Sequence, residues 1–210
     1  VGATIFPCTL RNLIAGGRPT LISANGGINF YLGNNQRYDE TVHLQPGYAF
    51  EELYDEPRRV AGVDAVADRD RYWYRKAFAF ILAHPGQEAM LLAKKLVLYF
   101  ANHETYRNTD VYYAKDTSIY RNVPFVPASL ILATGLVGLV LAMRKPSFAF
   151  VRGGAQATSE LAAFCVLLAL PCLIFFVTDR YRLPSMSVWA LFSGFFVVSV
   201  TGALRNRNWS

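Results

Sequence analysis

Three cysteines, Cys8, Cys165 and Cys172, are too few and odd in number to form a disulfide scaffold. Charge is also scarce. Only 17% of the 210 residues are Asp, Glu, Lys or Arg, against 53% hydrophobic, which excludes a disordered or coiled-coil chain. Acidic residues nearly vanish after Phe125. Residues 1–125 hold 14 basic and 13 acidic side chains, net +1, whereas residues 126–210 hold 7 and 2, net +5. The total of +6 therefore lies among apolar runs. A soluble nucleic-acid binder would carry it on a polar surface, so no nucleic acid is expected as a partner. Gly26, Gly27 and Gly33 lack the Gly-x-Gly-x-x-Gly spacing, and no Gly-Lys-Ser/Thr follows them, so a phosphate-binding loop is excluded. No second histidine follows His103-Glu104 within a turn, which excludes a zinc-protease helix. No nucleophilic triad, internal repeat or low-complexity tract is visible.

What is abundant is long uncharged sequence. Val123 to Met143 (21 residues), Leu161 to Thr178 (18) and Leu183 to Leu204 (22) contain no Asp, Glu, Lys or Arg. A helix rises about 1.5 Å per residue and the hydrocarbon core is about 30 Å thick, so each stretch can span or nearly span it. Buried helices of soluble proteins fit shorter runs. Arg144, Lys145 and Arg152 follow the first stretch, and Arg205 and Arg207 follow the last. Such residues prefer the cytoplasm, which places 1–122 outside, 144–160 inside, 179–182 outside and the C-terminus inside. Arg180 and Arg182 count against this orientation. The expected class is mainly α and integral to the membrane, multi-pass in a plasma (inner) membrane. With residues 1–122 outside and Val1 not an initiator, the chain is expected to be the C-terminal part of a larger polytopic protein.

The outer segment carries two helical patterns. In residues 64–84, Tyr72, Phe78, Ile81 and Leu82 oppose Asp68, Asp70, Arg71, Arg75 and Lys76. His84-Pro85-Gly86 breaks the pattern, because Pro lacks an amide donor and restricts its neighbour. Residues 86–102 place Ala89, Leu92, Leu96, Tyr99 and Phe100 on one face, suited to the outer interface or to the protein's own helices. Upstream, Thr20 to Ser23, the Asn25-Gly26-Gly27 turn and Ile28 to Leu32 predict a short β-hairpin. Residues 37–62 read as an irregular loop.

Asp64, Asp68 and Asp70 are the one acidic group that could share a metal, but acids at a helix start usually answer the dipole. No metal site is assigned, no cofactor is identified, and a divalent-metal requirement stays open. Cys165 and Cys172, seven residues apart, read as packing residues. Asp179-Arg180-Tyr181-Arg182-Leu183-Pro184 is more distinctive, because charges squeezed between two apolar runs are costly unless paired or at the interface. Either Asp179 pairs with an arginine and the others are interfacial anchors, or a guanidinium fork grips a lipid phosphate. Both readings stand.

Pro7-Cys8-Thr9-Leu10-Arg11-Asn12 and Asn25-Gly-Gly-Ile-Asn-Phe-Tyr-Leu-Gly-Asn-Asn35 resemble the outer loop of bacterial family 39 glycosyltransferases. These are related to the dolichyl-phosphate-mannose–protein mannosyltransferases and have the GT-C membrane fold. Phe80-Ile-Leu-Ala-His-Pro85, Lys95 leading into Phe100, and Arg180-Tyr-Arg-Leu-Pro184 follow in the family's order, and Cys8 stands where Trp is expected. The resemblance covers nearly the whole chain. It implies transfer of a sugar from a polyprenyl-phosphate donor to a lipid, glycan or protein acceptor on the outer face. It also implies a catalytic acid in an upstream outer loop, so no catalytic residue is assigned in this chain, which alone should be incomplete. Arg180, Tyr181, Arg182, Arg11 and Asn12 would bind the donor phosphate. Asn25, Gly26, Gly27, Asn29, Asn34 and Asn35 would form a loop over the sugar or acceptor. The alternatives are a non-enzymatic, membrane-anchored outer domain that binds a partner or assists assembly, and a different lipid-carrier enzyme such as a glycan ligase or polymerase.

Overall fold

The computed structural model describes residues 2–16, 25–102, 113, 117–118, 126–144 and 154–205. Ten helices are described: α1 (Gly2–Gly16), α2 (Gly26–Gly33), α3 (Tyr38–Thr41), α4 (Tyr48–Tyr54), α5 (Glu56–Ala61), α6 (Val66–Ala83), α7 (Pro85–Phe100), α8 (Ala128–Arg144), α9 (Ala155–Ile174) and α10 (Asp179–Arg205). No strand occurs among the described residues. The chain divides into two units. One comprises Val1–Leu92, Tyr106–Ala114 and Ile174–Phe176; the other comprises Ala93–Thr105, Lys115–Leu173 and Val177–Ser210.

In the first unit, α2 packs against α6. Ile28, Tyr31 and Leu32 recur at helical spacing and are all buried, with the Tyr31 ring 4.7 Å from that of Trp73. This overturns the β-hairpin. Its second strand, Ile28 to Leu32, is helical, and its first, residues 20–23, lies outside the described residues. The apolar spacing of i, i+3, i+4 outweighs the Asn-Gly turn signal, and a carboxylate from α6 completes the helix start. The Gly27 amide donates to Asp70 Oδ1 at 2.6 Å, supplying from another helix the cap that Asn25 does not make. Residues 37–62 are not an irregular loop either, since they contain α3, α4 and α5. Their turns are too short to show an apolar period, and Leu53, Pro57 and Tyr38 are buried only because the helices meet.

The inward face of α6 is Trp73 and Ala77, whereas Phe78 is 51% and Leu82 80% exposed. Along α7 the buried edge is Glu88, Leu91, Lys95 and Tyr99, while Leu92 and Leu96 are exposed. Pro85, which has no amide to donate, opens α7.

In the second unit, α8 lies against α10. A Cβ on Gly138 would fall 1.9 Å from the Phe192 carbonyl oxygen, so only hydrogen there permits the approach. The Thr134 and Ser193 hydroxyls bond across the same contact at 2.8 Å. Leu132, Cys165, Cys172, Trp189, Phe192 and Phe195 form the core of this unit together with Tyr99.

Two helices, Ala155–Ile174 and Asp179–Arg205, are long and apolar enough to cross a membrane, and Ala128–Arg144 is a shorter apolar helix of 17 residues. Only 17% and 22% of the most apolar windows of α9 and α10 are buried. The core helix of a soluble protein would be mostly covered, so these exposed leucines, valines and phenylalanines suit a hydrocarbon surrounding. The helix bounds differ from the uncharged runs. The run ending at Thr178 leaves the helix at Ile174, soon after Pro171, and α10 begins four residues before its run, at Asp179. Residues 123–125, the start of the first run, lie outside the described residues.

Candidate functional site

Asp179 to Arg182 do not form a connection between spans; they are the first turn of α10. The Thr178 carbonyl accepts the Tyr181 and Arg182 amides at 3.1 Å each, and Asp179 in the first turn complements the helix dipole. The two arginines then part company. Arg182 is 2% exposed. Its Nη1 donates to the carbonyls of Tyr99 at 3.2 Å and of Ala101, where α7 ends and carbonyls lack helical partners. Its Nη2 bonds Asp179 Oδ1. Arg182 is therefore engaged in holding the end of α7. Beside it, Trp189 Nε1 donates to the Tyr99 hydroxyl at 3.1 Å, which shares a 2.7 Å bond with Ser185 Oγ. Lys95, fully buried, donates to the Leu173 carbonyl at 3.0 Å.

Arg180 is exposed and its guanidinium lies 5.6 Å from the centre of the Tyr181 ring. It makes no ion pair among the described residues. The Thr178 hydroxyl, in a residue only 5% exposed, has no hydrogen-bond partner among the described residues. The start of α10 thus presents an exposed cation at a positive helix end, with the Asp179 carboxylate bonded to Arg182 and the Thr178 hydroxyl buried behind it. This combination suits a phosphate. Arg11 is exposed and Asn12 half-buried on α1.

The asparagine and glycine stretch also divides. Asn34 Nδ2 donates to the carbonyls of Phe30 and Ile174 at 2.8 Å each. Asn35 Nδ2 donates to the Tyr31 carbonyl and Thr41 Oγ1 at 2.7 and 2.8 Å, and its Oδ1 accepts the Arg37 amide. Both side chains are buried and engaged in tying α2 to its surroundings. Gly26, Gly27 and Gly33 are close-approach positions. A Cβ on Gly27 would lie 2.0 Å from the Asp70 carbonyl oxygen, and one on Gly33 would lie 1.7 Å from that of Phe175.

Asn25 and Asn29 remain, and the structure brings them to one cavity of about 310 Å³ with Ile28, Phe50, Glu51 and Tyr54. The three α4 residues come from the stretch read as a loop. Phe50 and Tyr54 are four apart, the helical spacing that stacks two rings, and this was the available signal. A second cavity, about 330 Å³, is lined by Arg37, Glu40, Glu52, Glu56 and Arg59 among others, but its charges answer one another. Arg37 pairs with Glu40 and Arg59 with Glu52. Glu56 accepts from Tyr72 at 2.6 Å and from Lys76, whose ammonium sits 4.9 Å from the Tyr31 ring centre and 5.2 Å from that of Trp73. Burial pushes the Glu56 carboxyl up. The bonds from Lys76 and Tyr72 and the charges of Lys76 and Arg37 outweigh it, so the carboxyl lies below its ordinary value. Burial, then the bond to Glu56, pushes Tyr72 up to about 12. Among the described residues, no group of three His, Cys, Asp or Glu side chains could hold a metal ion.

No protein family, curated protein or solved structure matches this chain.

Proposed function

We propose that the chain carries the donor-phosphate end of a membrane glycosyltransferase, which moves a sugar from a polyprenyl phosphate to a lipid, glycan or protein acceptor. The observation that carries this reading is the division of labour in the first turn of α10. Arg182 is locked to Asp179 and the end of α7, leaving Arg180 exposed at the positive end of a 27-residue apolar helix. Breaking a glycosyl–phosphate bond leaves negative charge on the phosphate oxygen, and a cation beside the helix amides stabilises that charge as it develops. The resemblance to family 39 glycosyltransferases around Arg180-Tyr-Arg-Leu-Pro184 supports the same assignment. In this reading α8 is a third span, the start of α10 faces outward at the headgroups, and the basic residues after α8 and α10 lie in the cytoplasm of a bacterial inner membrane.

The experiment is donor binding by the purified protein in detergent. Arg180→Ala is expected to weaken polyprenyl-phosphate affinity by about 1.5–3 kcal/mol, the scale of a charged hydrogen bond, with thermal stability unchanged. Undiminished affinity in Arg180→Ala removes the assignment and leaves the membrane-anchored binding domain as the better account.

A further inference from the structure

Four asparagines lie in or beside α2, and among the described residues only Asn34 and Asn35 have side chains engaged in hydrogen bonds. Asn34 and Asn35 hold backbone carbonyls, whereas the Asn25 and Asn29 side-chain amides make no hydrogen bond among the described residues. Both line the cavity of about 310 Å³ beside α4. The Glu51 carboxylate and the Tyr54 hydroxyl on its other wall likewise make no hydrogen bond or ion pair among the described residues. Phe50 and Tyr54 present stacked rings, 6.2 Å between centres and 22° apart in plane. Arg69, 5.9 Å from the Tyr54 ring centre, is paired with Asp55, so Glu51 leaves the cavity one negative charge.

We propose that this cavity is a carbohydrate subsite that takes one uncharged or amino-substituted hexose ring, with its C–H face against Tyr54 and Phe50 and its hydroxyls on Asn25, Asn29 and Glu51. A pyranose presents one apolar face and a rim of hydroxyls that both donate and accept. Two amides and a carboxylate around stacked rings match that pattern, in which an aromatic wall contributes contact area and a few placed polar groups fix orientation. The volume lies at the small end of ligand cavities, about 300–1,000 Å³, enough for one ring rather than a chain. Glu51 repels a uronic acid and accepts from a hydroxyl or an ammonium. The subsite rests on the glycosyltransferase reading only in being assigned to the acceptor glycan; sugar binding itself does not need that reading.

The test uses the full chain in detergent micelles and ligand-observed NMR titrations with methyl glucoside, methyl glucosaminide and methyl glucuronide. The first two are expected to bind saturably with Kd of about 1–10 mM, as suits a single small ring, and the glucuronide at least tenfold more weakly. Tyr54→Ala and Asn29→Ala are expected to lower affinity about tenfold. Because Glu51 is exposed, Glu51→Gln preserves the fold and is expected to bring the glucuronide close to the glucoside. No saturable binding of any glycoside overturns the subsite, as does binding unchanged in Asn29→Ala and Tyr54→Ala. Equal affinity for the glucuronide in the unmodified protein overturns the role of Glu51. Sugar binding without polyprenyl-phosphate binding sinks only the transferase reading, and the converse sinks only the subsite.

Discussion

A hydrogen atom at Gly27 decides whether α2 can sit on α6. The glycine Cα lies so near the α6 backbone that a methyl group would meet the Asp70 carbonyl at 2.0 Å, and backbone cannot swing aside as a side chain can. The same approach lets the Gly27 amide reach Asp70 Oδ1. Gly27→Ala is therefore expected to lose both packing and the cap. The expected cost is about 2–4 kcal/mol, the sum of an overpacking and a capping penalty, measured as a fall in thermal midpoint in detergent. Glu56 offers a pH test. Its carboxyl lies below the ordinary value of 4.5 in the folded chain, so the group binds protons more weakly folded than unfolded. It stabilises the fold above pH 4.5, and that contribution is lost as pH falls through the lowered value. Lys76 is 36% and Glu56 21% exposed in the side chain, so solvent screening discounts the pair to about 1–2 kcal/mol. Glu56→Gln is expected to lower stability by that amount at pH 7 and to shrink the difference from the parent toward pH 3. A constant gap across the titration would show that shape, not charge, holds this side chain.

At the scale of elements, Arg182 joins two helix ends by giving its guanidinium to the last carbonyls of α7 and to Asp179 in the first turn of α10. Arg182→Ala would remove the guanidinium donor from the Tyr99 and Ala101 carbonyls, at about 1–3 kcal/mol for each group left unsatisfied. The variant is expected to lose at least about 2 kcal/mol of stability, whereas Arg180→Ala is expected to lose less than about 0.5, as exposed positions do. Chemical unfolding of the two variants side by side measures the contrast; equal losses would mean that Arg182 is not the structural member of the pair. The sequence carries Arg180 and Arg182 as equals, because neither spacing nor composition shows which guanidinium meets the end of another helix. The mainly helical class was legible, since long uncharged runs and Pro85 need no partner to be read. The α2 helix was not, because its eight residues follow Asn25 and open on Gly-Gly, and its cap comes from Asp70, 43 positions away from Gly27. The same limit hid α3 to α5, and with them Phe50, Glu51 and Tyr54. Of the six residues in the asparagine and glycine stretch, the sequence could not separate Asn25 and Asn29 from Asn34 and Asn35, whose acceptors become visible only when the chain is folded.

For the whole molecule, the decisive question is what covers the apolar surface of α9 and α10. Leu167, 61% exposed, lies near the middle of α9, and Leu204, 56% exposed, at the last turn of α10 beside Arg205. If hydrocarbon surrounds these helices, an arginine at the middle position must enter it or drag water with it, at about 3 kcal/mol on insertion scales. An arginine at the helix end reaches the headgroups by extending its side chain and costs little. Leu167→Arg is thus expected to lower the carbonate-resistant fraction of the chain in vesicles by more than tenfold, while Leu204→Arg leaves it almost unchanged. The depth dependence is the signature, because no aqueous surface distinguishes these positions. In water both substitutions would change stability by no more than about 0.5 kcal/mol. Both would also leave a chain that alkaline carbonate releases from vesicles in full.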